Sequence, residues 1–488
     1  MVEKFEFTDK LKKTFYIMIG VGILGVLLAL LPMYKDNHYS RLWSNILLNA
    51  YYFTGIGIFG IFFASANQLG YGGWITLIKR IFMSLSGFIK IGAIFALIII
   101  GGVWAHYHSL YSWADPDYMK TLANTKQTFF NSSFWTIRVV LYFVLWIFVG
   151  GAVIKAINAK NINEPTVYKR SKLMAALWIV IFAVSESFVS WDLIMGTDAH
   201  WYSTLFGWYN FASYGCAAFA FTILLIIYLK SKGYLPQVNQ NHLHDVGKMM
   251  FGFSILWTYL WFDQFMLQWY GNIPEDTKYW VKRFDVPLFK FTIFFALLLN
   301  FVAPLLLFIK RDAKRSYKQA AFIAVLVIVG HYFDFFNMTM YEPNNAIKKT
   351  DMADVKKEAQ AKVAAVFYAQ NKTEDKAAAK EEKAGTDAKD EVKSEGKEEK
   401  EGTEAHGAKN YEGSEAMSIS GEQGHLDHTP AEITSKTHAS FGLIEIFIFT
   451  GFLGGFLLMF FNEFSKDTVF NENDPYLKES LRLHVEYA

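Results

Sequence analysis

Apolar segments of about twenty residues recur along most of this chain, and they constrain its fold more than any other feature of the sequence. Each is long enough to cross the hydrocarbon core of a bilayer. Because lipid offers backbone N–H and C=O groups no hydrogen-bond partners, each segment must be helical. The sequence therefore predicts an all-α integral membrane protein with ten transmembrane helices. Their approximate positions are 14–33, 46–66, 82–105, 133–154, 173–194, 205–229, 247–268, 286–309, 319–338 and 440–461.

The composition supports this class and excludes several others. The chain is 53% hydrophobic and 19% charged, which is typical of a membrane protein diluted by one polar segment. Its single cysteine, Cys216, excludes internal disulfides and cysteine-ligated iron–sulfur clusters, and no CxxCH haem motif is present. Paired histidines within spans, which a b-type haem needs, are not expected either, because only His331 lies clearly inside a predicted helix. We predict no metal site and no redox cofactor in this chain.

The first apolar segment has two interpretations. Lys12 and Lys13 precede it, as they would in a signal peptide. No small-x-small cleavage site follows, and the segment is long enough to span, so we favour a membrane anchor.

Lysine and arginine in the short loops set the orientation of the helices. One side of the membrane receives most of them, and the other side's short loops receive few. By the positive-inside rule the basic side is cytoplasmic, and ten spans then place both termini in the cytoplasm. The basic side comprises the N-terminus, Lys79 and Arg80, Lys155–Lys172, Lys230, Lys232, Lys248, Lys310–Lys318 and the C-terminal tail.

Four regions follow along the chain. Residues 1–340 contain the first nine helices, 439–461 the tenth, and 462–488 a cytoplasmic tail. Residues 341–438 form a low-complexity insert, rich in Lys, Glu and Ala, on the periplasmic side. The insert has too few apolar residues to bury a core, so we predict that it is largely disordered.

The segment Ile181–Ser213 carries the clearest functional signal. It places Glu186 inside an apolar helix, continues to Asp192, and then turns through a motif containing Asp198 and His200. A carboxylate at the centre of a membrane helix costs roughly 2.5–3.5 kcal/mol on insertion scales. Such a residue usually faces a partner or a cavity, and it often marks a route for protons, ions or a polar ligand.

Ionisable residues of the predicted spans gather in the third of the membrane nearest the periplasm. His331 and Asp334 lie three residues apart on one helix and can pair, and a histidine beside a carboxylate can relay protons. Lys90 is the main inner-side exception, and Glu445 begins the last helix at the outer face. We therefore predict a proton path in the outer half. Its members are Glu186, Asp192, Asp263, His331, Asp334 and Arg138, the last as a fixed positive charge that keeps an acid ionised.

Several of these residues also have a purely structural interpretation. His106 and Asp192 could lie at the level of the lipid headgroups, and Lys290 could extend its ammonium group to the interface. Arg138 could form a structural ion pair with an acid. Glu186 and Asp263 are the members least easily explained in these ways.

Two segments resemble a known family. Phe62–Leu85, FFASANQLGYGGWITLIKRIFMSL, and Ser190–Ser213, SWDLIMGTDAHWYSTLFGWYNFAS, are similar to the NrfD/PsrC-like membrane subunits, and most similar to the F-type subunit of bacterial alternative complex III. The likeness extends over most of the ten-helix plan but not into the insert. It implies two four-helix bundles, helices two to five and six to nine, with helices one and ten as peripheral helices outside them.

The resemblance also implies a function and a set of partners. Such complexes are quinol:cytochrome c oxidoreductases of the respiratory chain in the bacterial inner membrane. They oxidise menaquinol and pass electrons through iron–sulfur clusters and c-type haems on other subunits to cytochrome c or a terminal oxidase. The F-type subunit is expected to offer a polar route for protons. The implied partners are a C-type paralogue, an iron–sulfur subunit and a multihaem cytochrome c, and menaquinone is the one cofactor that the chain itself could bind.

Three other functions are compatible with the sequence. A quinol-binding subunit needs a cleft, aromatic walls and a His/Asp pair that accepts protons, and His106, Arg138 and Asp192 are candidates for such a pocket. A secondary transporter would hold its substrate near the bilayer midplane between broken helices. Pro304 could break a helix, but the acids lie away from the midplane. An assembly scaffold is the remaining alternative.

Overall fold

A computed structural model describes residues 4–31, 39–345 and 441–483 of this protein, all within one compact unit. Regular structure in those residues is helical, apart from one isolated β-bridge between Lys4 and Thr468. The main helices are α1 (Asp9–Ala29), α2 (Ser40–Leu69), α3 (Lys79–Trp104), α4 (Ser132–Ile157), α5 (Pro165–Thr197), α6 (Leu205–Ser231), α7 (Gln240–Gly271), α8 (Pro274–Asp285), α9 (Pro287–Phe308), α10 (Tyr317–Asn345), α11 (Leu443–Phe464) and α12 (Leu477–Leu481).

Nine of the helices in the described residues are long and apolar enough to cross a membrane, namely α1 to α6 and α9 to α11. Helix α7 has 32 residues and also exceeds the length that a bilayer needs, but its mean hydropathy is lower. The predicted class, an all-α multi-pass membrane protein, is confirmed. Every predicted apolar segment overlaps one of these ten helices. The predicted insert, 341–438, lies outside the described residues from position 346 onward.

Residues with known helix-end preferences mark several boundaries. The side chain of Asn239 accepts hydrogen bonds from the backbone N–H groups of Asn241 and His242, which caps the start of α7. The side chain of Asn131 caps α4 in the same way. Helices α8 and α9 each begin with a proline, whose missing N–H is not needed in the first turn.

Helices α2 and α6 form the centre of the protein. Of their most apolar stretches, 89% and 83% of the residues are buried. Helix α2 packs against α3, α5, α6 and α10, and α6 packs against α7 and α10. Helices α1 and α11 lie together at the edge of this group. They approach so closely that a side chain at Gly22 would overlap the backbone at Gly451.

The segment after α11 folds back onto the ends of other helices of the same chain. Lys79 Nζ lies 2.7 Å from a carboxylate oxygen of Asp474, and both side chains are buried. His242 Nε2 lies 3.1 Å from Ser480 Oγ on α12. The described part of the predicted tail is therefore docked on its own chain as far as Leu483, whose carbonyl accepts hydrogen bonds from two asparagine side chains.

Candidate functional site

Helix α6 separates two buried polar clusters at nearly the same depth. Ser213 and Tyr214 are consecutive on this helix, so they differ by only about 1.5 Å along its axis but by about 100° around it. Ser213 contacts α10, and Tyr214 lies beside groups from α2 and α5. We call the groups around Tyr214 the first cluster and those around Ser213 the second cluster.

The first cluster contains Glu186, Tyr51, Thr54 and Tyr214. Glu186 is 4% exposed and lies beside the hydroxyl groups of Tyr51 and Tyr214. The carboxyl group of Glu186 contacts the hydroxyl group of Tyr214. Apart from that contact, its Oε1 atom and the three hydroxyl groups are buried without a well-formed hydrogen bond within the described residues. Such groups carry a desolvation penalty of about 1–3 kcal/mol each when they stay unpaired. The cluster therefore has hydrogen-bonding capacity left for a further polar group.

A small cavity lies against the first cluster. Tyr51, Thr54 and Tyr214 contribute to its wall, and its volume is about 20 Å³. A water molecule needs roughly 10–15 Å³ measured in this way. The cavity thus accommodates about one water and is too small for a quinone ring. Its apolar wall includes Leu47, Ile58, Ile99, Phe143 and Trp146.

The second cluster is a closed hydrogen-bond network centred on Asp334. Ser213 Oγ donates to Asp334 Oδ2 at 2.7 Å, and Trp257 Nε1 donates to the same oxygen at 2.8 Å. The hydroxyl group of Tyr209 donates to Oδ1. His331 Nδ1 lies 2.9 Å from Ser213 Oγ, so a single hydroxyl group joins the imidazole to the carboxylate. The predicted pairing of His331 with Asp334 thus runs through Ser213.

A second cavity, also of about 20 Å³, extends from Asp334 towards α8. Its wall combines aromatic rings with polar groups, which include Arg283 and Asn337. Arg283 Nε donates to the backbone carbonyl of Asn337 at 3.3 Å, so this hydrogen bond holds the C-terminal end of α8 against α10. The remaining lining residues are Tyr209, Trp257, Trp261, Gln264, Tyr279, Trp280, Ile293, Ala296 and Met338.

Beyond this cavity lies an outer cluster of charged groups. Lys282 Nζ and Arg283 Nη1 lie 3.6 and 3.8 Å from Glu342 Oε1, and Asp198 lies within hydrogen-bonding reach of Glu342. Burial acts to raise the pKa of Asp198, but the charges of Lys282 and Arg283 and the contact with Glu342 hold it below its ordinary value. The nearby Glu342 raises the pKa of Lys282. The cluster therefore keeps several charges at the end of α10.

Glu342 is a residue that sequence reasoning missed. The predicted ninth helix ended at 338, so position 342 was assigned to the polar insert. The signal lay in the helical period: His331, Asp334, Met338 and Glu342 follow one another at three- and four-residue spacing. Extending the helix by one turn would have placed all four on one face.

Arg138 and Asp192 form a buried ion pair. Arg138 Nε and Nη2 lie 3.0 and 2.6 Å from the two carboxylate oxygens of Asp192, which also accepts a hydrogen bond from the Tyr142 hydroxyl group at 2.8 Å. The guanidinium lies 4.1 and 4.3 Å from the ring centres of Phe129 and Phe134. Because both oxygens of Asp192 are satisfied and the residue is fully buried, the pair ties α4 to α5.

The turn motif after α5 is held by contacts to its backbone. Lys126 Nζ donates to the carbonyl groups of Ala199 and His200 at 2.9 and 2.7 Å. The His200 ring lies beside Tyr118, with ring centres 5.4 Å apart. Asp198 therefore enters the outer cluster, whereas His200 stays at the surface.

Glu445 serves a similar structural purpose at the start of α11. Its two carboxylate oxygens each lie 2.7 Å from the guanidinium of Arg41 on α2, and Asn45 donates to one of them at 3.2 Å. The carboxylate also accepts from the backbone N–H of Gly442 at 2.7 Å. The residue is fully buried, so this contact joins α11 to α2.

Three further polar residues that the sequence analysis names lie apart from the clusters and ion pairs described above. His106 is exposed in the loop after α3, and Lys290 is exposed on α9. Asp263 is half-buried on α7 and makes no hydrogen bond or ion pair within the described ranges. Neither cavity is lined by His106, Arg138 or Asp192. Of the three residues predicted for a quinone pocket, the structure brings Arg138 and Asp192 together and leaves His106 exposed in the loop after α3.

No protein-family model matches the chain, and no curated protein matches it. What the two clusters can do chemically therefore has to follow from their own geometry. The carboxyl group of Asp334 and the hydroxyl groups that line these water-sized spaces can exchange protons with a water molecule, whereas the spaces are too small for larger ligands.

Proposed function

We propose that this chain is the proton-conducting membrane subunit of a respiratory quinol:cytochrome c or quinol:oxidase oxidoreductase, an alternative complex III of the bacterial inner membrane. The observation that carries the proposal is the pair of buried clusters on either side of α6. In the first, the carboxyl group of Glu186 contacts Tyr214, and buried hydroxyl groups of Tyr51 and Thr54, which have no hydrogen-bond partner within the described residues, line a water-sized cavity. In the second, Asp334 and His331 share the hydroxyl group of Ser213.

The proposed orientation makes the path a periplasmic one. Helix α7 counts as the tenth span, so both termini face the cytoplasm and residues 341–438 lie in the periplasm. The loops that follow α3, α5 and α7 are then periplasmic, and both clusters lie in the half of the protein nearest to them. Protons would move from Asp334 through the second cavity to the charges around Glu342. The chain would also act as a scaffold for its partners.

The complex as a whole rests on the family resemblance of Phe62–Leu85 and Ser190–Ser213. On that basis the partners are a C-type paralogue, an iron–sulfur subunit, a multihaem cytochrome c and a terminal oxidase. Electron transfer belongs to those partners, and menaquinol is oxidised on them. This chain supplies carboxyl, imidazole and hydroxyl groups that hold and pass protons, and no redox cofactor.

One observation favours a second candidate, a quinol-binding subunit proper. Trp257, Trp261 and Trp280 line the second cavity, which reaches Asp334. The hydroxyl group of Ser213 connects this carboxyl group to His331. These are the features expected of a site that accepts protons from a hydroxylated ring. The cavity would have to widen greatly, because at about 20 Å³ it holds one water.

The test is made on the intact complex purified from membranes through a tag on this chain. Glu186→Gln and Asp334→Asn should each lower the rate of quinol-driven proton release, by a factor on the order of a hundred if the group is an obligatory acid–base relay. Asp263→Asn is the matched control, because this acid of α7 lies outside both clusters. Unchanged proton release in both cluster variants would refute the proposal.

The composition of the purified material separates the alternatives. Haem and iron–sulfur partners with quinol oxidation are expected from the proposed complex. Isolation of the chain alone, with solute uptake in vesicles, would indicate a transporter. Photo-crosslinking of a quinone-site inhibitor to the wall of the second cavity would favour the quinol-binding alternative.

A further inference from the structure

Helix α9 contains an irregular turn at the middle of the protein. Residues Leu298–Val302 form a π-helical segment, in which hydrogen bonds skip one residue more than in an α-helix. Asn300 lies within this segment and is completely buried. Such segments occur often at functional sites, because the wider turn displaces a side chain and leaves backbone groups free for other partners.

Asn300 carries two polar atoms without partners. Neither Oδ1 nor Nδ2 makes a hydrogen bond within the described residues, although the backbone carbonyl of Asn300 accepts from Ser254 Oγ on α7. An amide that is left unsatisfied away from water is unfavourable by several kcal/mol. The position is also shaped for the amide, because a side chain at Gly330 on α10 would overlap Oδ1.

His331, the residue after Gly330 on α10, also has a polar atom that lacks a hydrogen-bond partner. Its Nε2 atom is buried and has no hydrogen-bond partner among the residues that the structure describes. Ser213 has one hydroxyl proton, which it donates to Asp334, so His331 Nδ1 must donate to Ser213 Oγ. In the neutral ring Nε2 is then an acceptor that faces no donor.

The two groups lie against the same stretch of α7. Ser254 contacts Asn300, and the ring of Trp257 contacts the ring of His331 edge to face, with centres 5.3 Å apart. Ser254 and Trp257 are three residues apart, so they share one face of α7 and differ by about 4.5 Å in height. Asn300 Oδ1 also packs against Gly330, the residue before His331, so the amide and the imidazole both lie where α7, α9 and α10 meet.

We infer that Asn300 and His331 hold a buried water molecule where α7, α9 and α10 meet. The water donates to His331 Nε2 and to Asn300 Oδ1 and accepts from Asn300 Nδ2, which satisfies all three unpaired atoms. This water molecule extends the hydrogen-bond network of the second cluster by one member. The network then runs from Asp334 and Ser213 through His331 to Asn300 in the π-helical segment. Its part in proton transfer rests on the proposed function, whereas its presence does not.

The test measures hydration of the ring directly. The protein is labelled with ¹⁵N-histidine, reconstituted in lipid and examined by water-edited solid-state NMR. The chain has twelve histidines, and the signal that disappears in His331→Gln is assigned to His331. The wild type should show a neutral ring whose unprotonated Nε2 is in contact with water. Asn300→Leu removes both amide partners, and Gly330→Ala displaces the amide by a different route, so the water contact should be lost in both.

Thr258→Val is the matched control. It removes a hydroxyl group from the same region of α7, but one that bonds only its own helix, at the carbonyl of Ser254. The water contact should persist in this variant. A dry His331 in the wild type, or a contact that survives in both Asn300→Leu and Gly330→Ala, would overturn the inference.

Proton release reports separately on the proposed function. If release proves insensitive to Glu186→Gln and Asp334→Asn while the water contact still depends on Asn300, the proposed function fails and the hydration site stands.

Discussion

Substitutions in the buried pair of Arg138 and Asp192 test whether an acid of this protein stabilises the fold or carries protons. Asp192→Asn removes one charge and leaves the guanidinium of Arg138 buried and uncompensated. Breaking a buried, hydrogen-bonded pair from one side usually destabilises by about 3–5 kcal/mol. Here both carboxylate oxygens are bonded, at 2.6 to 3.0 Å, so we expect a value in that range.

Arg138→Met should destabilise at least as strongly. It leaves the carboxylate of Asp192 buried, and it also removes the guanidinium from between Phe129 and Phe134, where cation–π contacts contribute on the order of 1 kcal/mol each. The double variant removes both charges together. Its destabilisation should therefore fall short of the sum of the single variants by about 2–3 kcal/mol.

Cys216 supplies the assay. It is the only cysteine of the chain and is fully buried, so a fluorogenic thiol reagent reacts only when the purified chain unfolds. Unfolding in detergent is followed with this reagent for the wild type, both single variants and the double variant. Destabilisations that simply add would refute the coupling. Asp192→Asn should leave proton release per folded complex unchanged, and a loss of release without loss of stability would show that Asp192 is a relay.

Three further predictions follow from other contacts. Ser213→Ala should disconnect the imidazole from Asp334 and lower proton release, and it should cost about 1–3 kcal/mol in unfolding experiments because His331 Nδ1 loses its acceptor. Gly22→Val should force α1 away from Gly451 and destabilise the chain by about 1–3 kcal/mol in the thiol assay. Burial lowers the pKa of His242 to about 4, so docking of the tail should weaken as the pH falls from about 6.5 towards 4, by at most about 3 kcal/mol. Limited proteolysis across this range should detect that change, and His242→Gln should abolish it.

The sign of the last effect follows from the direction of the shift. A histidine that is held neutral in the folded protein binds its proton more readily in the unfolded chain. Its stabilising contribution is therefore complete above the ordinary pKa and declines as the pH falls below it. Tail cleavage that becomes slower at acidic pH, once the protease's own pH dependence is subtracted, would contradict this.

The helical membrane class could be predicted from the sequence because hydrocarbon allows few alternatives. A run of about twenty apolar residues leaves its backbone only one way to satisfy its hydrogen bonds. The position of Glu186 inside such a run likewise predicts a buried acid. These conclusions need only the identity of residues along one segment, and the structure places Glu186 in a buried cluster as the cost of burying a charge suggested.

Which acids would be paired could not be predicted in the same way. Asp192 and Asp263 look alike along the chain, since each follows an aromatic residue near the outer end of a helix. Only the packing of α4 beside α5 brings Arg138 to the first, and among the residues that the structure describes no such neighbour reaches the second. The role of an acid depends on side chains that are distant in sequence, and periodicity carries no information about them.

The sequence by itself determined that this chain is a bundle of membrane helices with acids inside them, because the solvent that surrounds each helix allows nothing else. Only the tertiary structure decided that Ser213 joins His331 to Asp334 and that Tyr214, one residue on, belongs to Glu186. Two neighbours on one helix point about 100° apart. Their partners are set by which helices stand on either side, and that is a property of the whole fold.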